Sequence, residues 1–215
     1  RNAPYGPRTL AEIRRLSAAG IRRLLDRDVK AIVIACNTAT SAYAEIVRRE
    51  HPELPIVGME PALKPAHFAR HGGQVIVLAT EATLYLQKFQ RLMSRYGDDV
   101  ISVVGSGLVE LVEAGKARSP EADARLEALL GPYTGRQIDA VVLGCTHYPF
   151  LRASIQRLFP EAQLFDGLAG TVQRLKSLLE AGGLLSSGGR GSIEYQTSGD
   201  EAAIALMKRL MTALD

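Results

Sequence analysis

The sequence predicts an α/β protein made of two pseudo-symmetric, Rossmann-like halves, each with a parallel sheet, and with its active site in the cleft between the halves. Short, wholly apolar runs such as residues 31–35 are typical of parallel strands that are covered on both faces, and they alternate with segments of helical periodicity. A unit of strand, cysteine, helix and strand also occurs twice, which indicates an internal duplication.

Four elements follow one another in the first part of the chain. Apolar side chains recur at helical spacing over residues 10–26, and the β-branched run at 31–35 predicts a strand. Polar residues at 37–41 offer capping side chains for a helix over 42–49. Prolines then interrupt the helical pattern, and residues 56–58 predict the next strand.

The rest of the chain continues this alternation. Apolar strand patterns are separated from amphipathic helical patterns by glycines and polar caps. The predicted elements are, in order, a strand at 74–80, a helix at 83–96, a strand at 100–104, a strand at 140–145, a helix at 171–180, a strand at 192–197 and a helix at 201–214.

The duplicated unit is visible in two pairs of aligned segments. Residues 140–145 align with residues 31–36, and the first alanine, the central valine and the cysteine are identical. Downstream of each cysteine, the Pro-Glu pair at 52–53 finds a partner at 160–161. Each copy therefore predicts a strand, a cysteine, a helix and a second strand.

The division into halves follows from this repeat. Gly72 and Gly73 mark a crossing between the halves, and the first half is short of elements on its own. We therefore expect a first α/β half of residues 1–72, completed by the C-terminal residues 168–215, and a second half of residues 73–167.

Composition and charge exclude several classes of protein. The 215 residues are 47% hydrophobic and 23% charged, as in a soluble globular protein, and a net charge of +3 is too small to indicate a nucleic-acid partner. No run approaches the ~20 apolar residues of a membrane span, and no signal peptide is visible. The two cysteines form no CxxC pair. We expect a cytoplasmic protein without a nucleic-acid or membrane partner.

Cys36 and Cys145 each lie just past an apolar strand and before a predicted helix. Ligands of open parallel sheets lie outside the carboxyl ends of the strands, and helix N-termini stabilise a thiolate or bind a carboxylate. A cysteine is also commonly a small buried hydrophobic residue. Two cysteines at equivalent ends of duplicated strands favour the functional interpretation, with the two thiols facing each other across the cleft.

Two facing thiols suit the inversion of a carbon acid. One group removes a proton from one face of the carbon, and the other returns a proton to the opposite face. A thiol with an ordinary pKa of ~8.5 needs only modest help to serve as the base. The sequence contains neither a P-loop nor a GxGxxG motif, and no lysine motif indicates pyridoxal phosphate, so we expect no cofactor.

His147 lies two residues after Cys145 and could orient it, lower its pKa or carry its proton. A structural histidine is the alternative. Zinc also uses cysteine and histidine as ligands, but Cys-x-His with one distant cysteine lacks the paired spacing of a structural zinc site. We therefore predict no metal.

Five motifs identify a family. In chain order they are PYGPR (4–8), ACNTAT (35–40), ATEAT (79–83), LVELVEAG (108–115) and VLGCTHYP (142–149). Together they resemble the glutamate racemases, of the aspartate/glutamate racemase superfamily, over nearly the whole chain. The resemblance implies that L-glutamate is converted to D-glutamate without a cofactor by a two-cysteine, two-base mechanism. It also implies a supply of D-glutamate for peptidoglycan synthesis, and thereby a role in cell-wall biogenesis and cell shape.

The resemblance implies roles for individual residues. Cys36 and Cys145 match the family's two acid/base cysteines. His147 matches the histidine that assists the second cysteine, and Glu113 matches the glutamate beside it. Glu110 is the competing candidate for that glutamate. The positions that match contacts to the carboxylates and ammonium of the amino acid are Tyr5, Gly6, Asn37, Thr38, Thr83, Thr146 and His147.

The chain departs from the family at its start. Family members begin with a strand that ends in Asp-Ser-Gly, and this sequence shows none. We expect the natural gene product to carry about 25–35 further residues upstream, the length of a strand, a turn, a helix and a second strand. An inactive binding module of the same fold is therefore one alternative, and a racemase of aspartate or hydantoin is another. A homodimer also stays open.

Overall fold

A computed structural model describes residues 2–189 and 191–212 of the chain. No helix in these two ranges is long and apolar enough to cross a membrane. The helices are α1 (Leu10–Leu25), α2 (Asn37–Glu50), α3 (Leu63–Phe68), α4 (Glu81–Tyr85), α5 (Gln87–Tyr96), α6 (Leu108–Glu113), α7 (Pro120–Leu130), α8 (Arg152–Leu158), α9 (Leu168–Ala181) and α10 (Glu201–Met211). The strands are β1 (Ile32–Ile34), β2 (Ile56–Gly58), β3 (Gln74–Ala79), β4 (Val100–Val104), β5 (Ile138–Gly144) and β6 (Gln163–Phe165).

Strands β1 and β2 form a small parallel sheet, and α2 is the crossover between them. Ile32 pairs with Ile56, and Ile34 pairs with Gly58. Ile32 and Ile56 are buried in one cluster with Val47 of α2. Each fully buried aliphatic side chain contributes about 1.5–3 kcal/mol, so this contact holds the starts of β1 and β2 against the last turn of α2.

The larger sheet has the strand order β4-β3-β5-β6, and all its strands are parallel. Its two central strands are apolar because both faces of the sheet are covered. In β3, Val75 and Val77 belong to the core on one face, whereas Ile76 and Leu78 belong to the core on the other face. The predicted α/β class with parallel sheets is confirmed.

The duplicated unit is present once in each sheet. Strand β1, helix α2 and strand β2 form one copy, and β5, α8 and β6 form the other. Cys36 lies just past β1, and Cys145 directly follows β5. The copies differ after the cysteine, since α2 begins at Asn37 whereas a 3₁₀ helix (Tyr148–Leu151) precedes α8.

Three predicted elements differ from the structure. Residues 37–41, predicted to cap a helix over 42–49, lie inside α2, and Cys36 takes the capping position without a side-chain hydrogen bond. The helix predicted over 83–96 is divided into α4 and α5 at Leu86, whose backbone is extended.

The strand predicted over residues 192–197 is wrong. These residues lie in neither a helix nor a strand, and Ile193 is 75% exposed. A strand needs a neighbour to take its backbone hydrogen bonds, and no strand among the described residues pairs with this segment. The last predicted helix is present as α10, while residues 213–214 of that prediction lie outside the described residues.

The passage between the two sheets is anchored by Asp139 of β5. Its carboxylate accepts hydrogen bonds from the backbone N–H groups of His71 and Gly73, at 2.6 and 2.7 Å. At the other end of the chain, α9 contacts β2, whereas Leu210 of α10 packs against a core of the larger sheet. The predicted division assigns both of these helices to the first half, and that division stays a prediction.

Candidate functional site

The two cysteines line one cavity of about 280 Å³ at the carboxyl ends of β1, β3 and β5. Cys36 comes from the small sheet and Cys145 from the larger one. A larger groove of about 1100 Å³ beside β2 and α9 contains neither cysteine, so the candidate site is the cavity that both thiols line. The other predicted site residues on its wall are Tyr5, Gly6, Thr38, Thr146 and His147.

The thiol of Cys36 is held at the start of α2. The backbone N–H groups of Thr38 and Ala39 and the hydroxyl of Thr38 interact with it electrostatically, and each lowers the pKa of the thiol. Burial acts more strongly in the opposite direction, so the pKa of Cys36 is raised. The predicted help from a helix N-terminus is present, but it does not outweigh the loss of water contacts.

The pKa of the Cys145 thiol is raised as well. Burial raises its pKa to about 12, and negative charge at Cys36, Glu110 and Glu113 adds to the rise. The backbone N–H of His147 acts in the opposite direction. Both thiols therefore favour the protonated form near neutral pH, and a base at this site needs a nearby proton acceptor or a bound positive charge.

His147 connects Cys145 to a carboxylate. Nδ1 of His147 is 3.7 Å from Sγ of Cys145, and Nε2 is 2.6 Å from Oε1 of Glu113. When Nε2–H donates to Glu113, Nδ1 is left as an acceptor for the thiol proton. The geometry thus places Glu113 on the histidine, while Glu110, one turn earlier in α6, acts on the thiol through its charge.

A zinc site would need a cluster of ligands, and the described residues do not form one. Within residues 2–189 and 191–212, no group of three or more His, Cys, Asp or Glu side chains is placed to hold a metal ion. The two ring nitrogens of His147 face Cys145 and Glu113, so neither is directed at a separate metal position.

Three threonine hydroxyls form a ring beside Cys36. Oγ1 of Thr38 is 3.0 Å from Oγ1 of Thr80 and 2.9 Å from Oγ1 of Thr83, and the last two atoms are 2.9 Å apart. Thr83 is 1% exposed and lies behind the cavity wall. Thr80 lines the cavity too, although it is not among the site residues predicted from the sequence. Its signal was a polar residue directly before a helix, since Thr80 caps α4.

Asn37 is buried behind Cys36. Its Nδ2 donates a hydrogen bond of 2.8 Å to the backbone carbonyl of Gly144. Its Oδ1 has no hydrogen-bond partner among the described residues. Of the predicted substrate contacts, Asn37 and Thr83 are the two that lie behind the wall of the cavity.

The wall near Cys36 is completed by the start of the chain and by α1. Burial raises the pKa of the Tyr5 phenol, and the nearby Cys36 adds to this rise. Ser17 of α1 also lines the cavity, and its buried hydroxyl has no hydrogen-bond partner among the described residues. Ser17 is not among the site residues predicted from the sequence, because a small polar residue in an amphipathic helix carries little functional signal of its own.

The chain is similar to known proteins over most of its length. Residues 2–175 match the family model described as Asp/Glu/Hydantoin racemase. A protein of Clostridium perfringens (strain 13 / Type A) named glutamate racemase is 44% identical over 216 residues, which cover 98% of this chain and 83% of that protein. Among solved structures, the glutamate racemase from Thermus thermophilus in complex with beta-chloro-D-alanine has a TM-score of 0.81 at 35% identity, covering 97% of this chain and 79% of that one. The glutamate racemase from Francisella tularensis subsp. tularensis SCHU S4 in complex with D-glutamate has a TM-score of 0.80 at 25% identity, covering 98% and 80%.

Proposed function

The chain belongs to the Asp/Glu/hydantoin racemase family, and we propose that it interconverts L-glutamate and D-glutamate without a cofactor, with two cysteines as acid and base. One observation carries the proposal: the thiols of Cys36 and Cys145 come from different sheets and line the same cavity. The relatives named glutamate racemase support an isomerase, and 44% identity over 98% of the chain supports glutamate as the substrate.

Racemisation moves a proton off one face of the α-carbon and onto the other. For one enantiomer the thiolate of Cys145 takes the α-proton, and the thiol of Cys36 gives its proton to the opposite face. The reverse reaction exchanges these roles. Each turnover begins with one thiolate and one thiol and ends with the two forms exchanged, so no proton is gained or lost.

The raised pKa values of the thiols have to be overcome before a proton can be removed. Nδ1 of His147 accepts the proton of Cys145, and Glu113 stabilises the imidazolium that results. At Cys36 the backbone N–H groups of Thr38 and Ala39 and the Thr38 hydroxyl favour the thiolate. The ammonium group of a bound amino acid lowers the pKa of both thiols further, because a positive charge close to a thiolate favours it.

Neutral donors on the cavity wall bind the substrate in this proposal. Tyr5, Gly6, Thr38 and Thr146 line the cavity, and their hydroxyl and backbone N–H groups are donors that suit carboxylates. No lysine or arginine is among the described residues that line it. Hydroxyl and N–H donors therefore orient the substrate, and among the described lining residues His147 is the one that can carry a positive charge beside the substrate's ammonium.

The biological role extends this proposal. D-Glutamate made in the cytoplasm supplies peptidoglycan synthesis and so contributes to cell-wall biogenesis and cell shape. The motif resemblance and the names of the relatives support this role. A racemase of aspartate or hydantoin and an inactive binding module are the alternatives. The combination of both cysteines with His147 and Glu113 supports an active enzyme over a binding module.

Circular dichroism tests the proposed reaction. The purified chain is incubated separately with L-glutamate, D-glutamate, L-aspartate and a chiral hydantoin, and the signal is followed over time. We expect both glutamate enantiomers to reach the same racemic end point, while the other signals persist. Decay with aspartate or the hydantoin alone would contradict the substrate, and no decay with any compound would favour the binding module.

Inhibitors test the cofactor-free chemistry. A strong chelator and a carbonyl reagent should leave the rate of glutamate racemisation unchanged, whereas iodoacetamide should abolish it. Loss of activity on chelation, restored by zinc, would overturn this part of the proposal.

A further inference from the structure

We propose that Asn37 is a positioning residue that fixes the separation of the two thiols, a role that rests on the proposed two-cysteine function. Asn37 directly follows Cys36, and Gly144 directly precedes Cys145. Nδ2 of Asn37 donates a 2.8 Å hydrogen bond to the carbonyl of Gly144. One hydrogen bond therefore joins the residue after the first thiol to the residue before the second, across the two sheets.

The bond is shielded from water. Asn37 is 3% exposed, and Gly144 ends β5, in which the residues from Ala140 onward are buried. In such a place water does not compete for the amide or the carbonyl, and opening the bond leaves polar groups desolvated without compensation. The hydrogen bond between the two cysteine segments is therefore costly to break.

Both ends of the bond are held by their own elements. The N–H of Thr40 donates to the carbonyl of Cys36 in the first turn of α2. At Gly144, an added Cβ would lie 2.8 Å from Cβ of Ala79, so β5 is pressed against β3 at this point. Neither backbone has room to adjust independently, and a loss of the Asn37 amide is transmitted to the distance between the thiols.

A direct substrate contact is the alternative role for Asn37. Its amide nitrogen is already bonded to Gly144, and the residue does not line the cavity. Its Oδ1 is buried and has no partner among the described residues, so an ammonium contact through this atom is the competing interpretation. The two roles differ in what they change: a positioning residue alters the thiol spacing and kcat, whereas a substrate ligand alters KM.

The first test measures the spacing of the thiols in the full chain with bis-methanethiosulfonate reagents of increasing spacer length. Each thiolate displaces methanesulfinate from the reagent, and mass spectrometry identifies the spacer that links Cys36 to Cys145 in the highest yield. We expect N37A and N37S, whose side chains are too short to reach Gly144, to shift the preferred spacer or to spread the yield over several. N37S is the milder variant and serves if N37A does not fold.

Thr40 provides the matched control. Its Oγ1 donates a buried hydrogen bond to the carbonyl of Ile34, which stays within the small sheet and its helix. T40V should lower the melting temperature as the Asn37 variants do, yet keep the preferred spacer of the wild type. An unchanged spacer preference in both Asn37 variants overturns the proposal.

Kinetics separates the positioning role from substrate binding. In N37A and N37S we expect kcat for glutamate racemisation to fall by about 10- to 100-fold with a much smaller change in KM. A misplaced base slows proton transfer, whereas the groups that bind the substrate stay in place. A raised KM with kcat retained would identify a substrate ligand instead. A wild-type chain without racemase activity contradicts the proposed function, whereas the spacing measurement needs no turnover and is read independently.

Discussion

Oε1 of Glu113 lies 2.6 Å from Nε2 of His147, although 34 positions separate the two residues in the chain. His147 can accept the proton of Cys145, and its other ring nitrogen is hydrogen-bonded to the carboxylate of Glu113. The same carboxylate raises the pKa of the Cys145 thiol through its negative charge. Glu113 therefore assists proton transfer and opposes thiolate formation, and these two effects can be separated by mutation.

Replacing Glu113 with glutamine should reduce glutamate racemisation by about 10²-fold and make the Cys145 thiol more reactive. Glutamine keeps the shape of the side chain but loses the charge that stabilises a protonated His147. The same loss lowers the pKa of Cys145, so more thiolate forms at a given pH. Circular dichroism measures the first effect, and the rate of iodoacetamide alkylation, resolved by mass spectrometry, measures the second.

Glu110 offers the control for this experiment. Its charge also raises the pKa of Cys145, so E110Q should speed alkylation in the same direction. The hydrogen bond to His147 comes from Glu113 in the structure, so E110Q should retain far more racemase activity than E113Q. Equal losses of activity in the two variants would contradict the assignment of Glu113.

The raised pKa of Cys145 predicts that the protein loses stability in alkaline solution. The ordinary pKa of a thiol is about 8.5, and burial raises it to about 12 in the folded chain. The stabilising contribution is complete below the unfolded pKa and is lost as pH rises from about 9 to about 12, because only the unfolded chain then releases the proton. Urea titrations at a series of pH values give the unfolding free energy of wild type and of C145S. Between about pH 9 and about pH 12 this free energy should fall less steeply with pH in C145S than in the wild type. Equal pH slopes would contradict a buried, protonated Cys145.

Gly144 is predicted to be intolerant of a side chain. An added Cβ would lie 2.8 Å from Cβ of Ala79 and 3.0 Å from the carbonyl oxygen of Leu78. G144A should therefore lower the unfolding free energy by about 1–3 kcal/mol and reduce racemisation by displacing Cys145. At Gly135 an added Cβ meets nothing within 4 Å, so G135A should change stability by less than about 0.5 kcal/mol. Equal denaturation midpoints for the two variants would contradict the close contact between β3 and β5.

The short strands rich in β-branched residues were predictable because their own residues specify them. The predicted bounds 56–58 and 100–104 coincide with β2 and β4, since short runs rich in β-branched residues favour strands. Residues 192–197 alternate polar and apolar residues, a pattern that also favours a strand, but no strand among the described residues pairs with them. Whether a segment forms a strand also depends on a neighbouring strand that takes its backbone hydrogen bonds, and the residues of the segment do not show whether such a neighbour exists.

The site residues also differ in whether neighbouring residues in the sequence or the assembled fold determine their role. Cys36, Cys145 and His147 were found because they lie in the chain beside the strand ends that place them. The contact of Glu113 with His147 depends on how α6 packs against the turn after β5, so the sequence left Glu110 as a competitor. The raised pKa values of the thiols were not foreseen either, because burial is set by the assembled cavity and not by adjacent residues.

Hydrogen exchange at the α-carbon tests the two-thiol mechanism most directly. C36S and C145S, each with one thiol left, are incubated in D₂O with L-glutamate and with D-glutamate, and NMR follows the incorporation of deuterium. Overall racemisation should fall by about 10²–10⁴-fold in each variant, and the two variants should prefer opposite enantiomers for exchange. Equal exchange of both enantiomers by both variants, or full racemisation by C36A or C145A, would contradict the assignment of one thiol to each face of the substrate.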